Sequence, residues 1–421
     1  MRFWSVRGLK PDPERIKMRA PRKRKDLGSR SATPRSQKKV ERNSEVLLQN
    51  DFPREIVHAW HEQLAFLSKT KKVPEARNAF QDWLQDLVGH NRIALQALWR
   101  SYNSPQDRLA RRRVTEAQSA LSYVLGFHLN NVQRHCEIFK RLTRLHRKST
   151  AAAHLLDIGC GAGAWAQAAL HHVRKHANSS NLQIDLLDRS RFLLDAAEIG
   201  LKSLEANTQI RKFRTSLSDE LTAQVLKKIL DKCKKNVTPL WVGMSYLWNE
   251  LRSQPHRQNF LWRWLSQQVD NSVPLLLFFS EPGREAEARQ AQQFRHRMHQ
   301  NGFSVLYPCP SSFQCPMLQT PENWCYSEVP DHQLREWQPV AKILGLKRQV
   351  LASAYYVFAN PAARDFYNLT DQDCAVVVGR PIQDTRITLL ACDGQSLLRS
   401  HAQTTTALRG SRLPLTNGSA P

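Results

Sequence analysis

The stretch LLDIGCGAGAW at residues 155–165 decides the fold, because an apolar run meets Asp157 and then breaks into Gly159, Gly161 and Gly163. Glycine adopts positive φ without steric cost and has no side chain that would keep a ligand away from the backbone. A strand that ends in such a turn and leads into a helix is typical of nucleotide-binding sites. The sequence therefore predicts a nucleotide-type cofactor beside this turn.

The next predicted strand narrows the class of cofactor. The segment LQIDLLDRS ends in Asp188, and an acid at this position can accept hydrogen bonds from both ribose hydroxyls of an adenosine-type ligand. Gly159, Gly161 and Ala164 also fit the dinucleotide pattern GxGxxG/A, so a nicotinamide or flavin nucleotide is an alternative. The combination of Asp157 with the compact GxGxG resembles the class I methyltransferases, which hold S-adenosylmethionine there.

Strand-like and helix-like segments alternate over residues 150–306, which predicts a parallel sheet with helices on both faces. Ligands of such sheets bind beyond the carboxyl ends of the strands, so the segments MSYLWNE and SEPG are expected at the rim of the pocket. The rings of Tyr246 and Trp248 are candidates for stacking a base, with core packing as the alternative. Glu250 and Glu281 are candidate bases, or caps of the helices that follow.

The charge of the chain favours a polyanionic partner. It carries 62 lysines and arginines against 37 acidic residues, a formal net charge of +25, and nucleic acid is the first candidate. Residues 1–44 are strongly basic and lack apolar periodicity, which predicts a disordered arm that binds RNA, with a mitochondrial transit peptide as the alternative. No apolar stretch approaches the roughly 20 residues of a membrane span.

The regions beside the α/β segment have different patterns. Residues 45–149 place apolar residues at steps of three and four, which predicts a helical domain with Trp60 and Trp83 in its packing. The last residues, 401–421, are polar and without period, so we expect a disordered tail.

Three cysteines, Cys309, Cys315 and Cys325, fall within seventeen residues of a proline-rich segment. Without a signal-peptide core in the sequence, crowded thiols indicate a metal centre rather than disulfides. We expect Cys392, at a strand end where a turn begins, to be the fourth ligand, with Cys374 as the alternative. The spacings do not fit the short knuckles of zinc ribbons, which favours an iron–sulfur cluster held by four thiolates, with zinc as the alternative.

The order of these segments resembles the methyltransferase-like assembly factors of the small ribosomal subunit, which occur in mitochondria and in bacteria. The resemblance rests on LLDIGCGAG, DRS, SYLWNEL, SEPG, NGF, PCPSSFQCPM with its trailing NWC, GRP and a late CDG, over roughly residues 115–400. It implies a class I methyltransferase-like (Rossmann-like) α/β sheet with an N-terminal helical domain and, at 307–400, a C-terminal cysteine-cluster and β extension. It also implies S-adenosylmethionine and a four-iron four-sulfur cluster, the first at Asp157, Gly159, Gly161, Gly163 and Asp188, the second at Cys309, Cys315, Cys325 and Cys392.

The same resemblance implies a function in small-subunit assembly or translation. The partners would be small-subunit rRNA and small ribosomal subunit proteins, and the protein would be a monomer away from the ribosome. The alternative is an active S-adenosylmethionine-dependent rRNA methyltransferase. The end of the fourth strand lacks the Asn/Asp-Pro-Pro-aromatic motif of enzymes that methylate base nitrogens, which favours the first function. The expected location is the bacterial cytoplasm, with the mitochondrial matrix as the alternative.

Overall fold

The computed structural model describes residues 52–70, 73–74, 76–103, 115–142, 154–176, 182–217, 220–309, 315–319, 324–332, 334–369, 374–379, 382–383, 387–393, 397–402 and 409–414. The predicted basic arm at 1–44 and parts of the predicted tail lie outside these residues. The described residues all belong to one compact unit, Leu47–Pro421.

The front of the described chain is helical, as the apolar spacing predicts. Its helices are α1 (Arg54–Ser68), α2 (Arg77–His90), α3 (Arg92–Asn103), α4 (Glu116–Tyr123) and α5 (Leu129–Arg141), and a π-helical turn at Val124–His128 joins the last two. A capping box begins α4, in which Thr115 and Gln118 accept from each other's backbone amides. Trp60 is fully buried and donates to the Val124 carbonyl at 2.9 Å, so it packs in the core as predicted.

A twisted sheet forms the centre of the fold, with eight strands in the described part of the chain. Its strands are β1 (His154–Ile158), β2 (Gln183–Asp188), β3 (Gln209–Arg214), β4 (Leu240–Ser245), β5 (Leu275–Pro282), β6 (Ser304–Tyr307), β7 (Ser327–Pro330) and β8 (Val350–Ala359). The order is β3-β2-β1-β4-β5-β8-β6, with β7 paired to β8. Strands β1 to β5 are parallel, and β8 runs antiparallel to β5, β6 and β7.

Helices cover both faces of this sheet. They are α6 (Ala164–His176), α7 (Arg191–Leu204), α8 (Glu220–Asn236), α9 (Leu247–Glu250), α10 (Pro255–Ser266), α11 (Glu285–Gln300), α12 (Gln338–Leu344) and α13 (Pro361–Tyr367). A mostly parallel sheet in this order, with one antiparallel strand inserted beside the edge strand, is the class I methyltransferase-like fold. The predicted fold class is therefore confirmed.

Alternate residues of the central strands build two separate cores. Along β5, Leu276 and Phe278 pack in the core that the front helices share, whereas Leu277 and Phe279 pack in the core beneath α11. Successive side chains of a strand point to opposite faces, so a strand buried on both faces needs a continuous apolar run, which LLLFF supplies. Within the part of the chain that the structure describes, none of the helices combines the length and the apolarity that a membrane crossing needs.

Two features of the sheet differ from the predicted segmentation. Strand β3 reads QIRKFR and is mostly exposed, because it lies at the edge, where charged residues are common and the apolar signal is weak. It is held by Arg211, which donates to both carboxylate oxygens of the buried Asp185 at 2.6 Å. The sheet also continues past the predicted boundary at residue 306, because β7 and β8 join it from the region predicted as the cysteine-cluster extension.

A second sheet, with five strands among the described residues, follows α13. It contains β9 (Cys374–Val377), β10 (Ile382–Gln383), β11 (Ile387–Cys392), β12 (Leu397–Ala402) and β13 (Arg412–Pro414). Strand β13 and the last two residues of β12 lie in the region predicted to be a disordered tail, so that prediction is wrong for residues 401–402 and 412–414. The reason is tertiary: Arg412 lies over the Tyr307 ring at 4.7 Å, and the Tyr307 hydroxyl donates to the Gly410 carbonyl at 2.7 Å.

Candidate cofactor cleft and cysteine centre

The glycine turn after β1 has the backbone conformation that its sequence predicts. The φ angles of Gly159, Gly161 and Gly163 are +67°, +52° and +78°, a region in which L-residues are strained. The amides of Gly159 and Cys160 donate to the Leu187 carbonyl at 2.8 and 3.0 Å, so this part of the turn is tied to the end of β2. The turn therefore holds its shape through backbone bonds to the neighbouring strand.

Asp188 lies at the end of β2 and lines the same cleft as Gly159 and Gly161. Its Oδ2 accepts from the Gly161 amide at 2.9 Å and its Oδ1 from the Ser190 amide at 2.8 Å. Burial raises the pKa of this carboxyl, and the amide bonds oppose the shift. Since a carboxylate oxygen can accept more than one hydrogen bond, the position suits an acceptor for ligand hydroxyls.

Asp157 lies beneath the turn and supports it. Its side chain is 0 % exposed, and Oδ2 accepts from the Ala166 amide at 3.3 Å at the start of α6. Burial raises the pKa of Asp157 to about 8. Gly163 is also packed from below, where an added Cβ would lie 3.0 Å from the Ala197 Cβ. Asp157 and Gly163, both predicted to hold the cofactor, therefore pack the turn against the helices α6 and α7.

Replacing Asp157 with asparagine is expected to change the pH dependence of stability. The folded protein keeps the Asp157 proton up to about pH 8, whereas the unfolded chain releases it near the ordinary value of 3.8. The folded state binds the extra proton between these values, so this group lowers the free energy of unfolding as pH rises, by up to about 1.4 kcal/mol per pH unit. Asp157→Asn removes that contribution. Urea unfolding of both proteins at pH 5 to 8 measures it, and parallel stability curves would contradict the prediction.

The cleft is large and has an aromatic wall from the front helices. Its volume is about 1620 Å³. The wall consists of Trp99, Tyr102, Tyr123 and Phe127, and the Phe127 ring stacks on Trp99 at 5.1 Å and on Tyr123 at 5.8 Å. An added Cβ on Gly161 would lie 3.2 Å from the Tyr123 hydroxyl. The helical domain therefore closes the cleft directly over the glycine turn, which the sequence did not predict.

Of the residues predicted at the rim, at the ends of β4 and β5, some pack in the core and others line the cleft. Trp248 packs edge-on against Phe294 with ring centroids 4.9 Å apart, so core packing is its role. Glu281 is 1 % exposed and accepts from the amides of Trp248 and Asn249 at 2.8 and 3.3 Å, so it caps α9. Tyr246, by contrast, belongs to the wall of the cleft.

Glu250 also lines the cleft, and it links the front helices to the sheet. The Tyr102 hydroxyl donates to Glu250 Oε1 at 2.8 Å, and Arg284 donates to the Tyr102 carbonyl at 2.6 Å. Tyr102 thus bridges the ends of β4 and β5. These contacts give Glu250 a structural partner in the wall of the cleft.

The predicted cysteines converge. Cys315, Cys325 and Cys392 belong to one buried cluster with Met317 and Val378. Burial raises the pKa of the Cys325 thiol, and the charges of Cys309, Cys315 and Cys392 raise it further. The structure therefore places Cys315, Cys325 and Cys392 in one cluster, and Cys309 is near enough for its charge to act on the Cys325 thiol. The alternative, Cys374, lies in β9 opposite Pro414 of β13.

The cysteine centre adjoins the cleft. Cys325 lies between Trp324 and Tyr326 in the chain, and both of these rings line the cleft. The Trp324 indole donates to the Gly283 carbonyl at 3.1 Å, which fixes this wall to the end of β5. Across the described ranges, no three His, Cys, Asp or Glu side chains stand close enough together to hold a single metal ion.

Sequence reasoning missed Arg295, a charged residue of the cysteine centre. It is 1 % exposed on α11, and its guanidinium hydrogen bonds with the Cys309 sulfur. One turn earlier, Gln292 Nε2 donates to Cys315 Sγ at 3.7 Å. The signal was available, because Arg295 falls on the apolar stripe of Ala288, Ala291 and Met298 at helical spacing.

The strand order, the glycine turn and Asp188 define a protein of the class I methyltransferase-like fold. The sequence profile of the family described as mitochondrial small ribosomal subunit Rsm22 matches residues 128–340. This span is half of the chain and runs from the front helices past the cysteine segment. The chain belongs to the mitochondrial small ribosomal subunit Rsm22 family.

Solved structures give weak similarities of the same fold. An rRNA methylase from Streptococcus thermophilus is 10% identical and matches over 52% of this chain and 92% of its own, with a TM-score of 0.28. A SAM-dependent methyltransferase from Geobacter sulfurreducens, in complex with S-adenosyl-L-homocysteine, is 11% identical over 53% and 89%, with a TM-score of 0.28. No curated protein matched the chain.

Proposed function

We propose that this protein is an assembly factor that binds the rRNA of the immature small ribosomal subunit in mitochondria. In this proposal the cleft holds S-adenosylmethionine, and Cys309, Cys315, Cys325 and Cys392 hold a four-iron four-sulfur cluster. The observation that carries the proposal is the adjacency of the two sites, since Trp324 and Tyr326 flank a cysteine and line the cleft. Because the cofactor pocket and the cysteine centre share this wall, the binding of both groups can order one surface, and that surface would bind rRNA.

Charge supports RNA as the partner. Beyond the net charge of +25, arginines from several elements line the cleft, namely Arg189, Arg214, Arg252, Arg257 and Arg284. Phosphate contacts made by arginine supply much of the affinity of proteins for nucleic acid. Exposed rings beside such cations can stack on unpaired bases. The family to which the chain belongs supports the small subunit as the source of that RNA, and mitochondria as the location.

The cleft residues fit S-adenosylmethionine. Gly159 and Gly161 have no side chains, so a ligand can come close to the backbone of the turn. Asp188 offers carboxylate oxygens where the ribose hydroxyls would lie. When bound, the cofactor would supply an electrophilic methyl group. Asp188 would orient the ribose, and the aromatic wall with Tyr123 and Phe127 would exclude water from the turn.

The cysteine centre fits an anionic cluster. Four thiolates are the usual ligands of a four-iron cluster, and each binds a different iron, so they stand farther apart than the ligands of one zinc ion. A buried guanidinium is costly unless a negative charge lies beside it. Arg295 lies against Cys309. Burial acts to lower the pKa of Arg295, but the charges of Cys309, Cys315 and other neighbours outweigh burial and raise this pKa. The buried Arg295 guanidinium beside these cysteines therefore supports an anionic group at this position.

Replacing Arg295 with leucine is expected to lower the reduction potential of the cluster by on the order of 100 mV, because a nearby positive charge favours the more negative reduced state. Spectroelectrochemical titration of anaerobically purified protein measures the shift. The matched control is Arg297→Leu, on the same helix, whose guanidinium lies over the Trp262 ring at 4.0 Å. Equal potentials for wild type and Arg295→Leu would contradict the prediction.

The proposed function is tested by removing the protein from cells that make it and measuring the small ribosomal subunit by sedimentation. We expect a several-fold loss of mature small subunits that wild type restores, and an unchanged subunit profile would overturn the proposal. Mapping of rRNA methylation in the same cells tests the enzymatic alternative. Loss of one defined methyl mark that wild type restores and Asp188→Ala does not would establish the methyltransferase function instead.

A further inference from the structure

The order of the strands sets two ends of the cleft. Strand β1 lies between β2 and β4, so Asp188 after β2 and Tyr246 after β4 stand on opposite sides of the glycine turn. Neighbouring strands are about 4.8 Å apart, which separates the two positions by about 10 Å. A ligand whose ribose lies on Asp188 and that crosses the turn therefore ends beside Tyr246.

Hydrogen-bond donors collect at the Tyr246 end. Arg134 of α5 lies over the Tyr246 ring, with 5.9 Å from its guanidinium carbon to the ring centre, and both residues line the cleft. Arg134 Nη1 donates to Asn131 Oδ1 at 2.8 Å. Arg134 Nε and the Tyr246 hydroxyl are buried and have no hydrogen-bond partner among the described residues. Buried donors without acceptors are costly, so this end of the cleft is built for an acceptor.

The surroundings make that acceptor an anion. Arg348 also lines the cleft, donates to Asp331 at 2.8 Å and lies over the Trp337 ring at 4.9 Å. Burial, and then the charge of Arg134, lowers the pKa of Arg348, so the two cations are close enough to repel. A bound anion between them would relieve this repulsion.

His135, the neighbour of Arg134 in α5, contributes no competing charge. Burial and the charge of Arg134 lower the pKa of His135 to about 3, and its Nε2 lies 3.1 Å from Ser245 Oγ. It is therefore neutral at physiological pH and serves to position the end of β4. The positive charge at this end of the cleft comes from the arginines.

We propose that Arg134, with the Tyr246 hydroxyl, binds the carboxylate of the methionine part of S-adenosylmethionine. This inference rests on the proposed cofactor, whose ribose would lie on Asp188 and whose amino acid end would reach Tyr246. Arginine suits a carboxylate because its fixed donors match the two oxygens. Arg134 is thus a binding residue of the cofactor site, supplied by the helical domain and not by the sheet.

The test compares S-adenosylmethionine with decarboxylated S-adenosylmethionine, which lacks only the carboxylate, by titration calorimetry on the full chain. Charge-assisted bonds of this kind correspond to about a ten- to hundredfold preference for the complete cofactor in the wild type. In Arg134→Gln we expect the preference to fall to near one, with the affinity for the decarboxylated ligand unchanged. The matched control is Arg100→Gln, an exposed arginine of α3 that does not line the cleft, which should keep the preference.

Other outcomes overturn the inference in distinguishable ways. An equal loss of affinity for both ligands would mean that Arg134 only shapes the cleft. An unchanged preference, with weaker binding of a small-subunit rRNA fragment, would make the site a phosphate site. If neither ligand binds the wild type, the proposed cofactor itself fails. Thermal melting of each variant identifies a loss of affinity that comes from misfolding, and Tyr246→Phe gives a second variant that keeps the ring.

Discussion

Replacing Cys325 with serine is expected to reduce the iron content of anaerobically purified protein to less than a tenth of the wild-type content. Cys325 is 9 % exposed, and the other three cysteines of the proposed quartet all act on its thiol. Serine keeps the size of the side chain and removes the soft thiolate that iron–sulfur clusters require. Loss of the cluster should also loosen the wall that carries Trp324 and Tyr326. Iron and labile sulfide analysis, with the visible absorption spectrum, measures the effect.

Two other cysteines provide matched controls for this prediction. Cys374 is buried in β9 and is the ligand that the sequence left as an alternative, whereas Cys233 is buried in α8, in the core beneath the main sheet. Cys374→Ser and Cys233→Ser should keep their iron. Full iron in Cys325→Ser would refute the proposed quartet. A loss of iron in both Cys325→Ser and Cys374→Ser would assign the fourth ligand to Cys374. One zinc per chain, with neither iron nor sulfide, would replace the cluster by a zinc site.

Gly159→Ala is expected to weaken the binding of S-adenosylhomocysteine at least a hundredfold. Two physical costs add at this position. A positive φ costs an L-residue about 1–2 kcal/mol. The new Cβ would also lie 2.7 Å from Cδ1 of Leu247, which is buried at the start of α9, so the side chain or the turn must shift. Relief of both costs requires the turn to shift, and the turn is the surface on which the cofactor would lie. Calorimetry measures the affinity, and urea unfolding measures the stability.

Two further glycines separate these costs. Gly345 also has a positive φ, +66°, but an added Cβ there meets nothing within 4 Å, so Gly345→Ala isolates the conformational cost. Gly89 lies inside α2 with equally open space, and alanine there should stabilise the helix by about 0.5–1 kcal/mol. Both variants should bind the cofactor like the wild type. If Gly159→Ala behaves like Gly345→Ala in both stability and affinity, the packing against Leu247 has no role in the site.

The parts of the protein that the sequence predicted are those whose causes are local. The turn after β1 follows from glycines that alone adopt positive φ cheaply, and Asp188 follows from the end of an apolar strand. Helices α1 to α5 follow from apolar residues at steps of three and four. Strand β3 was missed because an edge strand carries charges. Strand β13 was missed because it begins with the polar Arg412 and because its order depends on Tyr307, which is far from it in the chain.

The candidate site was only partly predictable for the same reason. A short proline-rich segment indicates that Cys309, Cys315 and Cys325 act together, but no local pattern places them against Cys392 or against Arg295 of α11. Likewise, Tyr246 was a candidate from its strand end, whereas Arg134 belongs to a helix more than a hundred residues earlier in the chain.

The sequence by itself determined the glycine turn, the acid beside it and the crowding of thiols, because backbone strain and ligand chemistry are properties of single residues and short segments. Only the tertiary structure decided that the turn lies beneath an aromatic wall, that Arg134 meets Tyr246, and that the cysteine centre borders the cleft. The physical reason is the strand order. Strand β4 lies beside β1, and β8 lies between β5 and β6, although these strands are far apart in the chain. Only this placement brings the residues that follow or flank them together.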